Sequence, residues 1–338
     1  MGRWLKMENA GSFPLRMAPV PSRLAHMIRL RRFFSLGLAV LASLILGAVP
    51  CLSQQWAKEE LASSPRHGEY VTIPEAGGRT LQAWVVYPEV KGKAPVIVMI
   101  HEIFGLSDWA RLEADELAGK GYIVVEPDLL SGFGPTPGAT PAGGDMAGMD
   151  HSHMAAQGEG GAAFVAATPG GTAAFPDQGA VVKAVSSLNP ELVLTDLDAA
   201  ANYGKALPAA SGKLFTAGFC WGGGKAFAFA THRKDLSAAF VFYGPPPPVA
   251  AMTAITAPIY GFYAELDSRI GSTIPQAIID MKAAGKFYEP VTYKGAGHGF
   301  MRAGQAPAGK PEDQKTLEAN HKAWQDATDR WLSVMKSK

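Results

Sequence analysis

One stretch limits the folds open to this chain more than any other: Gly218-Phe219-Cys220-Trp221-Gly222-Gly223. Before it, Lys213-Leu214-Phe215-Thr216-Ala217 is a short apolar run with a β-branched residue, the length of a buried strand rather than a helix. After it, Lys225-Ala226-Phe227-Ala228-Phe229-Ala230 is rich in helix formers. A strand that turns through glycines straight into a helix brings backbones close together and holds the turn residue in a strained conformation. This is the layout of a nucleophile elbow, with cysteine where serine is usual. The helix beyond Cys220 aims its N-terminal amides at the sulfur, which favours thiolate. A buried cysteine in an ordinary βα turn gives the same pattern, and the hexapeptide alone leaves both readings open.

The segments around it alternate between strand and helix. Tyr70–Ile73 and Leu81–Tyr87 read as strands joined by the turn Glu75–Gly78, an opening antiparallel hairpin. Pro95–Ile100 is a continuous apolar run suited to a strand covered on both faces. Ser107 and Asp108 offer a cap to the next helix, which Gly119-Lys120-Gly121 ends, and Tyr122–Val125 is the following strand, closed by Pro127-Asp128. Helical pattern returns over Val181–Leu188 and Leu192–Ala206, and strands over Ala238–Tyr243, Ile259–Tyr263 and Tyr288–Tyr293. Ile274–Ala284 reads as helix and Pro311–Met335 as a closing helix. Such alternation indicates a mostly parallel central sheet with helices on both faces, an α/β fold. In a sheet of this kind the site lies at the carboxyl ends of the strands.

With 338 residues and 47% hydrophobic content, one domain of this size is ordinary. Lys and Arg number 31 against 30 Asp and Glu, with no basic run, so no nucleic-acid partner is expected. Arg29, Arg31 and Arg32 precede an uncharged apolar run from Phe33 to Val49, then small residues and Gln54-Gln55, the order of a secretory signal peptide. An uncleaved anchor is the alternative, since about 17 apolar residues lie at the lower limit for crossing a bilayer. Cleavage after Ser53 fits, whereas Pro50 argues against a lipoprotein site at Cys51. Arg31-Arg32-Phe33-Phe34 resembles part of a twin-arginine signal, so both the general secretory and the twin-arginine routes stay open. Translation is expected to begin at Met17 or Met27.

The expected division is therefore an extension and signal over 1–53 and a single domain over 54–338, periplasmic or secreted, monomeric and without a stable membrane anchor after cleavage. The chain has two cysteines. Once Cys51 leaves with the signal, Cys220 is a free thiol in an exported protein, and catalysis is the simplest explanation for it. From 131 to 179 the composition turns to Gly, Ala, Pro and Thr, a functional loop, lid or mobile insert within the domain. It contains Asp145-Met146-Ala147-Gly148-Met149-Asp150-His151-Ser152-His153-Met154, whose Met and His are ligand types that soft copper prefers. A periplasmic copper-binding protein on the same scaffold is thus the alternative function, against the plainer reading of a flexible insert.

Three segments that follow strands offer titratable side chains: His101-Glu102, Glu265 with Asp267, and Gly297-His298-Gly299. The chain order Cys220, Asp267, His298 is nucleophile, acid, histidine, the order of the α/β-hydrolase fold. A thiol needs a base and a positive environment, which His298 supplies, and Asp267 would fix the imidazole tautomer. Taken singly, Asp267 also reads as a cap for the helix near Ile274 and His298 as a loop histidine.

The chain resembles the dienelactone hydrolase (carboxymethylenebutenolidase) family over roughly Tyr70 to Leu332. The likeness rests on His-Glu-Ile-Phe-Gly at 101–105, Gly-Tyr-Ile-Val-Val-Glu-Pro-Asp-Leu-Leu at 121–130, Gly-Phe-Cys-Trp-Gly-Gly at 218–223 and His-Gly-Phe-Met-Arg at 298–302. It implies that Glu102 is a fourth catalytic member, lying near the thiol and taking its proton when substrate displaces it. It further implies an oxyanion hole from the backbone N–H groups of Ile103 and Trp221, and an Arg302 that grips a substrate carboxylate. Tyr243, at the end of a strand, and Phe104, in the segment after one, complete the expected substrate-binding set. Family members acting on the diene lactone carry a second arginine and a tyrosine after the Pro-Asp-Leu segment; here no arginine occurs between Arg111 and Arg233. The expectation is an ester or lactone hydrolase working through a thioester on Cys220, with no metal or cofactor.

Overall fold

The hairpin opens the sheet: β1 (Gly68–Pro74) pairs antiparallel with β2 (Thr80–Val86), Tyr70 opposite Trp84. The protein, a computed structural model, is described over residues 54–75, 78–134, 163–164, 170–307 and 314–338. Six further strands of this sheet follow: β3 (Ala94–Ile100), β4 (Ile123–Pro127), β5 (Ala210–Phe219), β6 (Ala238–Phe242), β7 (Ile259–Ala264) and β8 (Tyr288–Tyr293). Their order across the sheet is β1-β2-β4-β3-β5-β6-β7-β8. β2 runs antiparallel to both its neighbours and every other pairing is parallel, the mixed sheet expected from the sequence.

Helices cover both faces because the strands are apolar on both. Along β3, Val96, Val98 and Ile100 join one buried cluster, while Ile97 and Met99 join the other. The first cluster takes in Leu197, Ala200 and Ala201 of α4 (Pro190–Ala206), Val181 and Val185 of α3 (Gln178–Ser186), and Phe227 and Ala230 of α5 (Trp221–His232). Ile274 and Met281 of α6 (Ile274–Ala283) complete it. The second takes in Ala57 of α1 (Gln55–Ser63), Trp109 and Leu112 of α2 (Asp108–Gly119), and Ala327 and Trp331 of the closing helix α8 (Gln314–Ser337). Phe242 and Phe262 stack at 4.3 Å on that face, with the Trp331 indole edge-on to Phe242 at 4.9 Å.

Four helices among the described residues lie outside the sequence expectation, two of them the single turns Val249–Met252 and Ser268–Gly271. α1 is short and owes its place to packing on α2, where Gln54 accepts the Trp109 N–H at 3.4 Å. α7 (Phe300–Gln305) occupies six residues, too few to show a period.

The described ends of the Gly- and Ala-rich stretch after β4 are tied into the fold. Ser131 accepts the Gln82 N–H at 2.9 Å, and the Asp128 carboxylate accepts the Thr172 N–H and hydroxyl at 2.7 and 2.9 Å. Thr172 in turn accepts the Leu106 N–H at 2.9 Å, fastening the end of the insert to the loop after β3. The Met/His run at 145–154, Cys51 and the expected signal lie outside the described residues.

Candidate active site

β5 delivers Cys220 to the turn. Its dihedrals, φ 56° and ψ −117°, are rare for a side-chain-bearing residue, and its N–H donates to Phe242 O at 3.0 Å on the neighbouring strand. The flanking glycines answer to space: a Cβ on Gly218 would lie 2.1 Å from Gly222 O, and one on Gly222 would lie 2.4 Å from the carbonyl oxygens of Ile100 and His101. The strand-glycine-helix pattern in the sequence is thus the mark of a real crowding. α5 begins at Trp221, directly beyond the thiol. Cys220 is a free cysteine, partly exposed.

His298 Nε2 stands 3.0 Å from Cys220 Sγ, and its Nδ1 stands 2.5 Å from Asp267 Oδ2. Three strand ends, those of β5, β7 and β8, therefore bring one thiol, one carboxylate and one imidazole into line. Asp267 also caps the short helix Ser268–Gly271, its Oδ1 accepting the Ile270 N–H at 3.2 Å, and not the helix that begins at Ile274, where Thr273 holds the cap position. The His298 loop is tied on two sides. Gly295 N–H donates to Glu265 Oε2 at 2.8 Å, and Gly297 N–H donates to Asn320 Oδ1 of α8 at 2.8 Å.

Burial by itself would lower the His298 pKa, but the hydrogen bonds and negative charges of Asp267 and Cys220 outweigh it and raise it to about 9. For Asp267, burial works upward, yet His298, the Ile270 N–H and Arg269 hold the carboxyl below its usual range. The two directions agree with an imidazolium braced by an ionised carboxylate at neutral pH.

The remaining expected residues divide. Glu102 is nearly buried, and the hydrogen bond its carboxylate makes is with Arg302 Nε at 2.9 Å, so in this arrangement it serves the arginine rather than the thiol. Arg302 lies with its Cζ 5.2 Å from the centre of the Phe104 ring. Ile103 lies in the loop after β3 and Trp221 at the start of α5, both partly exposed. Tyr243 differs from the expectation of a substrate contact: it is wholly buried, with φ 40°, its ring edge-on beneath His298 at 5.0 Å, and its hydroxyl has no hydrogen-bond partner among the described residues.

The sequence reading missed Asn320, which looks like one more polar residue of an amphipathic helix and is in fact 4% exposed. It also gave no role to His101, which is fully buried. A surface hollow lined by Ile255, Ala257, Pro258, Lys286 and Phe287 lies where β7 and β8 begin, the opposite end of the sheet from Cys220. Among the described residues no group of three His, Cys, Asp or Glu side chains is placed to hold a metal ion.

Residues 81–337 match the profile of the Dienelactone hydrolase family. A Yersinia pestis protein named "Putative carboxymethylenebutenolidase" is 27% identical over 260 residues, covering 72% of this chain and 83% of the relative. A protein of the same name from Saccharolobus solfataricus is 26% identical, covering 78% and 96%. Among solved structures, a Klebsiella pneumoniae protein described as a "Putative Dienelactone Hydrolase" superposes with a TM-score of 0.58 at 23% identity, over 79% of this chain and 98% of its own. A dienelactone hydrolase-like promiscuous phosphotriesterase from metagenomic libraries superposes with a TM-score of 0.52 at 18% identity, over 80% and 98%. These last two likenesses concern the α/β-hydrolase fold. The sheet order, the elbow and the profile lead to one conclusion: the chain belongs to the dienelactone hydrolase family and is an ester or lactone hydrolase.

Proposed function

We propose that the protein is exported and hydrolyses small esters or lactones through a Cys220–His298–Asp267 triad and a thioester on the sulfur. The observation that carries this is the continuous chain of two hydrogen bonds, 3.0 Å from Sγ to Nε2 and 2.5 Å from Nδ1 to the carboxylate. With its pKa raised to about 9, His298 holds a proton at neutral pH and stabilises negative charge on the sulfur beside it. The sulfur attacks the carbonyl carbon, and the oxygen of that carbonyl takes the developing charge toward the N–H groups of Ile103 and Trp221. The C–O bond to the leaving alkoxide breaks as His298 passes its proton to that oxygen, leaving a thioester and a neutral ring. Water then attacks the thioester, His298 takes the proton from it, and the C–S bond breaks to release the acid. In a lactone the alcohol and the acid leave as one molecule. Arg302 is the cation for a substrate carboxylate, and such a substrate would compete with Glu102 for it and leave that carboxylate free to accept a proton.

Mass spectrometry of the protein recovered from expressing cells tests both halves. The expected mature N-terminus lies just after Ser53, and incubation with a panel of lactones and aryl esters is expected to leave an acyl adduct on Cys220. Cys220→Ala is expected to lose turnover by about a thousandfold or more. Retention of more than about a hundredth of the activity removes Cys220 as nucleophile, and an intact Met1 removes the cleaved signal and the later translation start.

A further inference from the structure

The two backbone N–H groups that face the developing charge belong to different elements, the loop after β3 and the first turn of α5, so something must fix their relation. His101 touches both. Its Nδ1 lies 2.8 Å from the carbonyl oxygen of Glu102. A carbonyl only accepts, so Nδ1 carries the hydrogen and the ring is anchored as a donor. The Glu102 carbonyl and the Ile103 N–H are the two ends of one planar peptide unit and point in opposite directions. Gripping the oxygen therefore aims the N–H. Gly105 N–H donates to the same oxygen at 3.1 Å, so the carbonyl is held from two sides. On the other element, the His101 ring stacks on the indole of Trp221 with centroids 5.7 Å apart and planes 11° from parallel. The backbone of the same residue also meets α5, where Gly222 packs against the His101 carbonyl with no room for a Cβ.

We propose that His101 is a positioning residue that fixes the Ile103 and Trp221 N–H groups relative to one another, acting as the neutral imidazole with its hydrogen on Nδ1. This rests on the thioester mechanism above. Burial supports the neutral form: the side chain is fully buried, Nε2 has no partner among the described residues, and desolvation lowers the pKa against the opposing pull of Asp128 and the Glu102 carbonyl. Hydrogen bonds accepted by a peptide carbonyl also make the N–H of the same unit a stronger donor.

The test uses an ester of an arylacrylic acid, whose thioester on Cys220 is followed by its carbonyl stretch in Raman difference spectra. In the wild type that stretch is expected below the value of the same thioester in water. His101→Phe keeps a ring and loses the donor; His101→Gln keeps a donor and loses the aromatic stack. The expected result is a fall in kcat of about tenfold or more with KM within about threefold, and a carbonyl stretch returning toward its value in water, less so in His101→Gln. Values of kcat within about threefold of wild type in both variants overturn the proposal. So does a loss of kcat with the carbonyl stretch unmoved, the mark of a merely structural role. Should neither variant fold, long-range ¹H–¹⁵N correlation spectra of the wild type decide: hydrogen on Nδ1 between pH 6 and 8 is expected, and hydrogen on Nε2 or an imidazolium overturns it. Absence of any acyl adduct on wild-type Cys220 defeats the thioester mechanism instead, while the tautomer is still read independently.

Discussion

The two side-chain-bearing residues with positive φ among the described residues, Cys220 and Tyr243, terminate neighbouring strands, and both belong to the site. Each such conformation costs on the order of 1–3 kcal/mol, held in place by the surrounding packing. One presents the sulfur; the other sets a fully buried ring beneath His298. The consequence for His298 is measurable. Because its folded pKa lies at about 9, above the unfolded value of about 6.5, its ion pairing stabilises the fold fully below the unfolded value and is lost as pH rises through about 9. Acylation by an ester with an alkoxide leaving group needs that proton, so kcat/KM is expected to fall above about pH 9. Asp267→Asn removes a carboxylate that holds the proton on the ring, so the falling limb is expected to move to lower pH. With a nitrophenyl ester the limb is expected to be weak, since nitrophenolate leaves without a proton. A limb that stays near 9 in Asp267→Asn would contradict the assignment of the acid.

At the scale of elements, the closing helix does two things. Trp331 and Ala327 complete one face of the core, and Asn320 holds the His298 loop through Gly297. Asn320→Ala leaves the Gly297 N–H without its acceptor, a cost of about 1–3 kcal/mol if the group stays buried. The expected outcome is a lower Tm together with faster hydrogen exchange at Gly297 and a reduced kcat; unchanged exchange at Gly297 would show that α8 does not restrain the loop. This role was hidden in the sequence, as was the Glu102–Arg302 pair, because each joins residues far apart in the chain and nothing local marks it. What was legible was local and chemical. Continuous apolar runs gave the buried strands, and glycines at a crowded turn gave the elbow. The order of thiol, carboxylate and imidazole gave the line of hydrogen bonds. β5 begins at Ala210, earlier than the apolar run from Lys213, because pairing with β3 draws in a polar, glycine-containing start. Tyr243 read as the last residue of a strand and a substrate contact, and only the packing beneath His298 shows it buried.

Across the whole molecule, both faces of the sheet are sealed by helices, and the seal encloses titratable groups as well as hydrocarbon. Glu126 of β4 is fully buried on the α2 side, opposite Trp84, and neither of its carboxyl oxygens has a hydrogen-bond partner among the described residues. Burial raises its pKa well above the ordinary value, with Asp128 and Glu113 adding to the shift and Arg111 opposing it. Glu113 of α2, also buried, is shifted in the same direction, first by burial and then by Glu116. A carboxyl whose folded pKa exceeds its unfolded one is favoured in its protonated form. Its contribution is therefore fully present below the unfolded value, about 4.3, and declines as pH rises toward the folded value. Gln has nearly the same shape and no charge to desolvate. Glu126→Gln is thus expected to match the wild type in Tm near pH 4–5 and to exceed it increasingly toward pH 8, the difference isolating this one group from His298 and the rest. Thermal unfolding of both proteins across that range is the measurement. A variant that is less stable at pH 8 than at pH 5 relative to wild type would mean that Arg111 holds Glu126 ionised within the fold.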